Sequence, residues 1–468
     1  MQAERSTRLS VLERGLRVFT DIRPGEGPTG VLLFINVFLI LCAYYFIKPL
    51  RESWIAVSDI AGLSKMEVKA YSSFGQSLLL AFIVSGYGRL SARWPRGTLI
   101  TRCTLACMAC LVVFWLLQPG FLLANLPGSG IAFYLWVGMF GVFIVAQFWA
   151  FAADLYADER GGRLLPLIGI GATAGAATGS LLTEQLVKSQ WFDSGSLLLL
   201  ATIPLGASIV LSRTADARGP MGRPRHERVR PTTPAAADAG EVGALAFVFR
   251  HRYLLAAALV ALMTNWVNTN GENLLFRVVQ DALEHARVAR DITGQAATIA
   301  FVRAGTAAFY GNYYFWVNVC ALLLQALVAS RLLAYGGFGA IFLLLPVIAL
   351  VSYSAMAFLP VLAMVRAMKV AENSVDYSIN NTARQVLWLP TTAEMKYKAK
   401  PVVDSLFVRL GDGCAAVTVL LGVHLLQLST QSFFLVNVVL VLAWLATAIV
   451  IVREHAGLTA PRADVEAA

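Results

Sequence analysis

The sequence predicts an all-α, polytopic membrane protein with about twelve transmembrane helices. Of its residues, 57% are hydrophobic and only 14% are charged. A helix needs about 20 mostly apolar residues to cross the hydrocarbon core of a bilayer. Such stretches lie at residues 30–50, 68–90, 97–118, 131–155, 163–187, 194–213, 252–272, 306–331, 337–357, 358–382, 401–427 and 430–453. Most of the chain is therefore expected to lie within the membrane.

One linker divides these stretches into six and six. Residues 214–243 are rich in Pro, Arg and Ala and contain no aromatic residue, which is typical of a segment without a packed core. Six spans on each side of a linker are the layout of transporters built from two six-helix halves. We therefore predict a major-facilitator-type architecture. Its segments are a cytoplasmic N-terminal segment at 1–29, an N-terminal half at 30–213, a flexible cytoplasmic linker at 214–243, a C-terminal half at 244–455 and a tail at 456–468.

The charges of the connections predict the orientation. Lys and Arg in short loops are retained on the cytoplasmic side. Both ends of the chain, the linker and the second-to-third, fourth-to-fifth and tenth-to-eleventh connections are basic, whereas 118–130, 356–360 and 427–432 carry no charge. Both termini should therefore be cytoplasmic, and no cleavable signal peptide is visible. The net charge of +10 follows mostly from this topology and does not predict nucleic-acid binding.

A charged cluster lies at the end of the first predicted span. Pro49 should end or kink the helix there, which would leave carbonyl groups unpaired. Lys48 and Arg51 are two cations within one turn, a combination that binds phosphate or carboxylate well. The alternative is that both anchor the helix end at the membrane interface. Glu52 favours the binding site, because simple anchoring does not need an acidic neighbour.

The tenth span carries a polar stripe on one helix face. Its members recur at steps of three or four residues and are Arg366, Lys369, Glu372, Asn373, Asp376, Asn380 and Arg384. Such a stripe must face a water-filled cavity or another charged helix. We expect Asp404, Arg409 and Asp412 of the eleventh span to be its partners. Each of these residues has two alternative roles. It could belong to a salt-bridge network at a cytoplasmic gate, or it could contact the substrate.

The seventh and fourth spans add further polar residues. Amides are concentrated at residues 265–273, and with Gly271 they predict a broken helix that exposes backbone groups to a solute. Glu272 is then a carboxylate candidate for a gate or a substrate contact. In the fourth span, Trp149 could stack on a planar base, although packing is the alternative. Asp154 follows it in the same polar and aromatic lining.

Glycines recur at every fourth position of the fifth span. Gly171, Gly175 and Gly179 therefore lie on one face, where a neighbouring backbone can approach closely. Tight helix packing explains this pattern, and a moving contact during transport is the functional alternative. A phosphate-binding loop of the nucleotide-hydrolysing kind ends in Lys followed by Ser or Thr. This ending is missing here, so the pattern does not indicate such a loop.

Neither the cysteines nor the histidines predict a metal or a cofactor. Cys103, Cys107 and Cys110 recur at helical spacing in the third span, where partner ligands for a metal or redox site are missing. The five histidines are scattered and lack zinc or haem spacing. The geometry of residues 276–304 stays open, since this amphipathic segment could lie at the membrane surface or lengthen the seventh and eighth spans.

Several further motifs occur along nearly the whole chain: YYFIKPLRES at 44–53, FWAFAAD at 148–154, DYS at 376–378, LPTTAEMKYKAK at 389–400 and RLG at 409–411. In this order they resemble the ATP:ADP antiporter family of plastids and intracellular bacteria. The resemblance implies twelve spans, the bacterial inner membrane and exchange of nucleotides without hydrolysis.

The resemblance also implies roles for single residues. Arg51 matches the basic residue of the family's first span, Glu272 the acidic residue of its seventh, and Lys398 or Lys400 its late basic residue. Two departures place the chain in a divergent branch. Trp136 and Val137 stand where nucleotide-exchanging members have an acidic residue, and Pro49 stands where the family lacks proline.

We therefore predict an alternating-access carrier of a small anionic solute, with ATP and ADP as the leading candidates. The alternative is a major-facilitator exporter or importer of another metabolite, proton-coupled or uncoupled. An enzyme would need clustered acid, base or metal ligands, and a sensor a soluble output domain, so neither is expected. The sequence leaves the oligomeric state open and is compatible with a monomer. Predicted substrate-binding residues are Lys48, Arg51, Glu52, Trp149, Glu272, Lys398 and Lys400. Predicted gating residues are Asp154, Arg366, Lys369, Glu372, Asp376, Arg384, Asp404 and Arg409.

Overall fold

The structure is a computed structural model of the 468-residue chain. It describes residues 13–14, 22–24, 26–91, 96–118, 128–156, 159–189, 193, 195–218 and 241–459. Most of the predicted linker at 214–243, of the N-terminal segment and of the C-terminal tail therefore lies outside the described residues.

Twelve long helical runs follow one another in the described part of the chain. They are α1 (Gly27–Ala56), α2 (Lys65–Ser91), α3 (Arg96–Leu116), α4 (Ser129–Leu155), α5 (Glu159–Ser189), α6 (Ser196–Ala217), α7 (Arg252–Ala289), α8 (Gln295–Leu324), α9 (Ser330–Phe358), α10 (Leu362–Val375, continued by Asp376–Asn380 and Asn381–Val386), α11 (Ala393–Leu425) and α12 (Thr430–Thr459). A short helix, Glu241–Arg250, precedes α7. The described residues contain no strand, which confirms the all-α prediction.

Length and hydropathy alone identify fewer spans than twelve. Seven helical stretches of the described chain are long and apolar enough to cross a membrane, or eight if the bent pair at the start of α7 counts as one span. The stretch 295–358 counts as one although it contains both α8 and α9. The two are merged because the backbone leaves helical geometry only at Gly337 (φ 65°, ψ −170°). Helices α2, α5 and α10 fall short, and glycines or charged side chains lower their hydropathy.

The predicted break in the seventh span is wrong. Helix α7 runs unbroken through Gly271 and on to Ala289, and the chain bends by 105° at its start, after Arg250. Two of these amides are satisfied by other helices instead of breaking their own. Asn265 donates to the carbonyl oxygen of Val408, and Asn270 donates to Asn437. Residues 276–304 lengthen α7 and α8.

Pro49 does not end the first helix, so one of its two expected effects is wrong. Helix α1 continues through it to Ala56. Proline lacks an amide hydrogen, so the carbonyl group four residues earlier, at Tyr45, loses its helical partner. The hydroxyl group of Thr183 in α5 lies 3.2 Å from that carbonyl oxygen and 2.9 Å from the carbonyl oxygen of Gly179. A hydrogen bond from the neighbouring helix therefore replaces the one that proline removes.

The chain forms two compact units. Unit 1 comprises residues 1–62, 82–228 and 283–319, and unit 2 comprises 63–81, 229–282 and 320–468. Unit 1 therefore includes most of α8, and unit 2 includes the first part of α2. In unit 2, α9 and α12 pack along each other.

The glycine stripe of α5 packs α1 within unit 1. A Cβ atom at Gly171, Gly175 or Gly179 would lie 2.7, 2.2 or 2.4 Å from the carbonyl oxygens of Phe34, Phe38 and Cys42, respectively. The two backbones thus meet at matching four-residue steps. This confirms tight helix packing and fixes α5 against the helix that carries Lys48 and Arg51.

Gly175→Ala should destabilise the protein. The added methyl group would clash with the carbonyl oxygen of Phe38, and overpacking of this kind costs roughly 1–3 kcal/mol. Thermal unfolding of the purified protein in detergent measures the change. Gly457→Ala is the matched control, since a Cβ there meets open space. Equal melting temperatures for both variants would contradict the packing argument.

Thr183→Val should destabilise the protein by about 1 kcal/mol, the usual contribution of one hydrogen bond. Valine keeps the shape of threonine but leaves the Tyr45 carbonyl group without a donor. The same unfolding measurement applies, with Thr183→Ser as the control that keeps the hydroxyl group. The interpretation fails if the serine and valine variants unfold at the same temperature.

Candidate functional site

The first charged cluster lies in unit 1 and is walled by tyrosines. The Nζ atom of Lys48 lies 4.0, 5.1 and 5.9 Å from the ring centroids of Tyr314, Tyr45 and Tyr44. Lys48 is buried, with 9% of its surface exposed. Ring faces attract a cation, and the attraction is stronger where water is excluded. Helices α1 and α8 together therefore build an aromatic cage around this ammonium group.

Arg51 lies one turn further along α1 and is paired with its neighbour. Its Nε and Nη2 atoms donate to Oε1 of Glu52 over 3.0 and 2.6 Å. The guanidinium carbon lies 4.4 Å from the ring centroid of Tyr134 in α4. The side chains of Arg51 and Glu52 are 13% and 1% exposed. The predicted residues Lys48, Arg51 and Glu52 thus form one buried group with two positive charges and one negative charge, which we call the cation cluster.

Trp149 and Asp154 occupy other environments. The ring of Trp149 packs against Phe148 and lies close to Gly169 of α5, in the apolar part of unit 1. Asp154 is exposed near the end of α4. Packing thus accounts for the observed contacts of Trp149, and its role in binding stays a prediction.

The second cluster lies in unit 2 and centres on Lys369. This lysine is fully buried, and its Nζ atom lies 3.0 Å from Oε2 of Glu372, 3.7 Å from Oε1 of Glu272 and 3.2 Å from Oδ1 of Asn268. Asn373 donates to Glu272 over 2.8 Å. The structure therefore joins Glu272 of α7 to the stripe of α10, which the sequence had treated as separate features.

A small residue makes room for this second cluster. A Cβ atom at Gly271 would lie 1.9 Å from the Tyr353 hydroxyl group and 2.8 Å from Nζ of Lys369. The Tyr353 hydroxyl group lies 3.2 Å from both Oε1 of Glu372 and the carbonyl oxygen of Val267. Gly271 thus brings α7 close to α9 and α10, which explains its presence in a continuous helix.

The remaining residues of the α10 stripe form local contacts. Asp376 accepts hydrogen bonds from Asn380 over 2.6 Å and from Arg384 over 3.3 Å, and the Arg384 side chain is largely exposed. Arg366 is half-buried one turn before Lys369. The stripe therefore runs from a buried end at Lys369 to an exposed end at Arg384.

The expected partners of the stripe on α11 are only partly correct. Asp404 lies within electrostatic range of Lys400 and of Arg384. Because Arg384 belongs to the stripe, this expected contact between α10 and α11 is present. Asp412 accepts instead from Asn265 and Thr269 of α7, and Arg409 lies 4.0 Å from Asp412. Helical periodicity identified the polar faces of α10 and α11 but not the helix that each face meets.

The late basic residues lie on the first turns of α11. Lys398 pairs with Glu394 over 2.9 Å and lies above the Phe247 ring of the short helix Glu241–Arg250. Lys400 lies 5.9 Å from the ring centroid of Trp388. The structure thus assigns these lysines to an amphipathic surface near the end of α10. Their substrate contact stays a prediction.

Sequence reasoning missed several buried charged residues, among them Lys69 and Glu184. Lys69 of α2 donates to the carbonyl oxygen of Glu272 over 3.0 Å, and Glu184 of α5 accepts from Asn312 and Lys188 over 2.8 and 2.5 Å. Both are more than nine-tenths buried. Glu184 lies inside a predicted span, and a carboxylate at that depth is itself a sign of function.

Comparison with known proteins identifies the fold. No family model and no curated protein matches the sequence. A mutant of the nucleoside transporter NupG aligns with a TM-score of 0.61 at 12% identity, covering 90% of this chain and 99% of that one. A mutant of the peptide transporter POT in complex with sulfate gives 0.60 at 14% identity, covering 96% and 99%.

A POT family transporter in complex with 5-aminolevulinic acid gives a TM-score of 0.58 at 14% identity, covering 92% of this chain and 96% of that one. At such low identities the likeness concerns the fold alone. The chain therefore has the multi-pass, all-α fold of MFS-type transporters.

Lys369→Met should destabilise unit 2 strongly. It would leave the buried carboxylate of Glu372 without its cation, and breaking a buried pair in this way costs roughly 3–5 kcal/mol. The double variant Lys369→Met/Glu372→Gln removes both charges and should recover much of the loss. Thermal unfolding in detergent distinguishes the two. A double variant as unstable as the single one would contradict the assigned pairing.

Proposed function

We propose that this protein is a membrane carrier of a small anionic organic solute that works by alternating access. The supporting observation is the cation cluster of unit 1, in which Arg51 is hydrogen-bonded to Glu52 and Lys48 lies within a cage of tyrosine rings. Ionised groups are costly to hold within membrane-spanning helices and are usually retained for function. A group with one excess positive charge is suited to a phosphate or carboxylate.

The geometry supports different parts for the two cations. Arg51 is the better candidate for direct contact, because a guanidinium group can hold an oxyanion through two parallel hydrogen bonds. Its present acceptor, Glu52, is the neighbouring residue, so an incoming anion competes with an internal carboxylate. Lys48 adds positive potential from within its aromatic cage. Tyr44 and Tyr314 also offer ring faces to a planar part of the solute.

We further propose nucleotide exchange, with ATP and ADP as the pair, as the leading version of this function. The motifs shared with the ATP:ADP antiporter family support it, and they include Arg51, Glu272, Lys398 and Lys400. Among solved structures with this fold, NupG is described as a nucleoside transporter, and POT structures contain sulfate or 5-aminolevulinic acid. Nucleosides and anionic small molecules are thus compatible with a fold of this kind.

The proposed location is the inner membrane of a bacterium, with both termini in the cytoplasm. The basic connections support this orientation, because short Lys- and Arg-rich loops are retained inside. Lys369, Glu372 and Glu272 are proposed to exchange partners during the transport cycle, with Asp376, Arg384, Asp404, Arg366 and Arg409 as further gating candidates.

Uptake of labelled ATP into proteoliposomes tests the nucleotide version. We expect uptake into vesicles loaded with ADP, little uptake into empty vesicles, and loss of uptake in Arg51→Gln. The substitution removes the bidentate donor, and hydrogen bonds to charged groups contribute about 1.5–3 kcal/mol each, so uptake should fall by at least tenfold.

Arg287→Gln is the matched control. Arg287 is also hydrogen-bonded to a nearby glutamate, Glu284, but near the exposed end of α7. This variant should transport normally. Vesicles loaded with other phosphorylated or carboxylated metabolites extend the test. Absence of ATP uptake under every loading, from protein shown to be folded and inserted, would rule out nucleotide exchange. An Arg51→Gln protein with undiminished transport would rule out the anion site.

A further inference from the structure

We propose that a cavity of unit 2 is a second binding site of this carrier and that it takes the phosphate group of the solute. The inference rests on the proposed function and adds a site made of residues other than the cation cluster. The cavity has a volume of about 460 Å³, and its walls are the start of α2, the outer part of α7 and the end of α11 with the residues that follow it. This volume is in the usual range for sites that hold small organic ligands.

Two cations from different helices line the cavity. Lys65 begins α2 and Arg277 lies on α7, and both residues are half-buried. The guanidinium carbon of Arg277 lies 5.6 Å from the ring centroid of Phe433 in α12, a contact that positions the side chain. Asp281, one turn after Arg277, is the acidic residue among the described lining residues. The cavity therefore has one excess positive charge, and a guanidinium group together with an ammonium group suits a phosphate.

A buried amide lies one turn before Arg277 on the same face of α7. Asn273 is 1% exposed, and among the described residues neither its Oδ1 nor its Nδ2 atom has a hydrogen-bond partner. Residues four apart on a helix are neighbours, so Asn273, Arg277 and Asp281 form one row. A buried amide without partners is costly, and a ligand in the cavity would satisfy it. One donor and one acceptor are thus available for the organic part of a solute whose phosphate lies at Arg277.

The wall at the end of α11 has an uncommon backbone. Its last turn, Leu421–Leu425, is π-helical, and Gln427 adopts a left-handed conformation with a φ of 46°. Both features are rare in proteins and occur often at functional sites. Here they turn the chain so that Gln427 and Leu428 line the cavity. The irregular backbone therefore shapes the cavity and adds a second amide to its wall.

The wall at the start of α2 is held by hydrogen bonds. The main-chain nitrogen and the hydroxyl group of Ser64 donate to Oε2 of Glu67 over 2.8 and 2.7 Å. Nε2 of His424 in α11 lies 2.6 Å from Oε1 of the same carboxylate. Glu67 therefore connects two of the three walls. A site that is formed before its ligand arrives binds that ligand at a lower cost in conformational entropy.

The proposed orientation places this cavity at the outer face of the membrane. Arg277 and Asp281 follow the predicted span at 252–272, and Gln427 begins the uncharged connection at 427–432. The cavity therefore binds solute from the outer solution. Its excess positive charge raises the local concentration of anions there.

Binding of labelled inorganic phosphate to the full-length protein in lipid nanodiscs tests the site. The measurement uses the Arg51→Gln protein, in which the cation cluster has lost its bidentate donor. We expect this protein to bind phosphate, and we expect Arg51→Gln/Arg277→Gln to bind it at least tenfold more weakly. Arg290→Gln in the same background is the matched control. Arg290 also lies over an aromatic ring, Phe301, at 5.5 Å, but near the exposed end of α7, and its loss should leave phosphate affinity unchanged.

Two further variants in the Arg51→Gln background test the other groups. Asp281→Asn should raise phosphate affinity about threefold, because it removes a negative charge next to the bound anion. A gain of affinity does not arise from misfolding. ADP should bind more tightly than phosphate, and Asn273→Leu, which keeps the size of the side chain, should remove this difference while leaving phosphate affinity unchanged.

Phosphate binding that depends on Arg277 and increases in Asp281→Asn supports the cavity even if no loading gives ATP uptake, in which case only the nucleotide version of the function fails. Three results would overturn the proposal even where ADP-dependent uptake is observed. They are absence of phosphate binding in Arg51→Gln, equal affinities with and without Arg277→Gln, and no gain in Asp281→Asn. ADP that binds no more tightly than phosphate, or an unchanged difference in Asn273→Leu, would overturn the role of the buried amide.

Discussion

The need to pair every ionised group inside membrane-spanning helices governs the structure of this protein. Water is absent from the hydrocarbon core, so a charged side chain there requires a partner within the protein. Lys369 is fully buried between the carboxylates of Glu372 and Glu272. Arg51 is hydrogen-bonded to Glu52. The Lys369–Glu272 pair joins α10 to α7 and therefore also organises the packing of unit 2, whereas Arg51 and Glu52 are neighbours on one helix.

Small residues provide the close contacts that such pairing requires. In unit 1, the glycine stripe of α5 fits against the carbonyl groups of α1, and this fixes the helix that carries the cation cluster. In unit 2, Gly271 leaves room for Tyr353 and Lys369. Gly411 has the same function on α11, where it brings α7 close to Asp412. The glycines thus set how closely the helices can pack, and the polar pairs stabilise the helices in that packing.

The two charged clusters have different chemical properties. The cation cluster has an excess of positive charge and aromatic walls, which suits recognition of an anion. The cluster around Lys369 contains two carboxylates, and Lys69 donates to the backbone at Glu272 nearby. The amide side chains of Asn268 and Asn373 beside this cluster can form hydrogen bonds with its lysine or with its carboxylates. This arrangement suits an exchange of partners, because no single pairing uses all of its donors and acceptors.

The sequence alone determined the helical class, the approximate positions of the spans and the residues that carry charge into the membrane, since these depend on local composition and periodicity. It also determined the stripe on α5, because glycines four residues apart share one face of any helix. Only the tertiary structure decided which faces meet. The amides near Asn265 were expected to break α7, yet the helix continues, and Asn265 itself donates to Val408 and Asp412 of α11. Asp412 was expected to pair with α10 but is bonded to α7 and α2. Periodicity assigns a residue to a face of its own helix, whereas its partner depends on the packing of helices far apart in sequence.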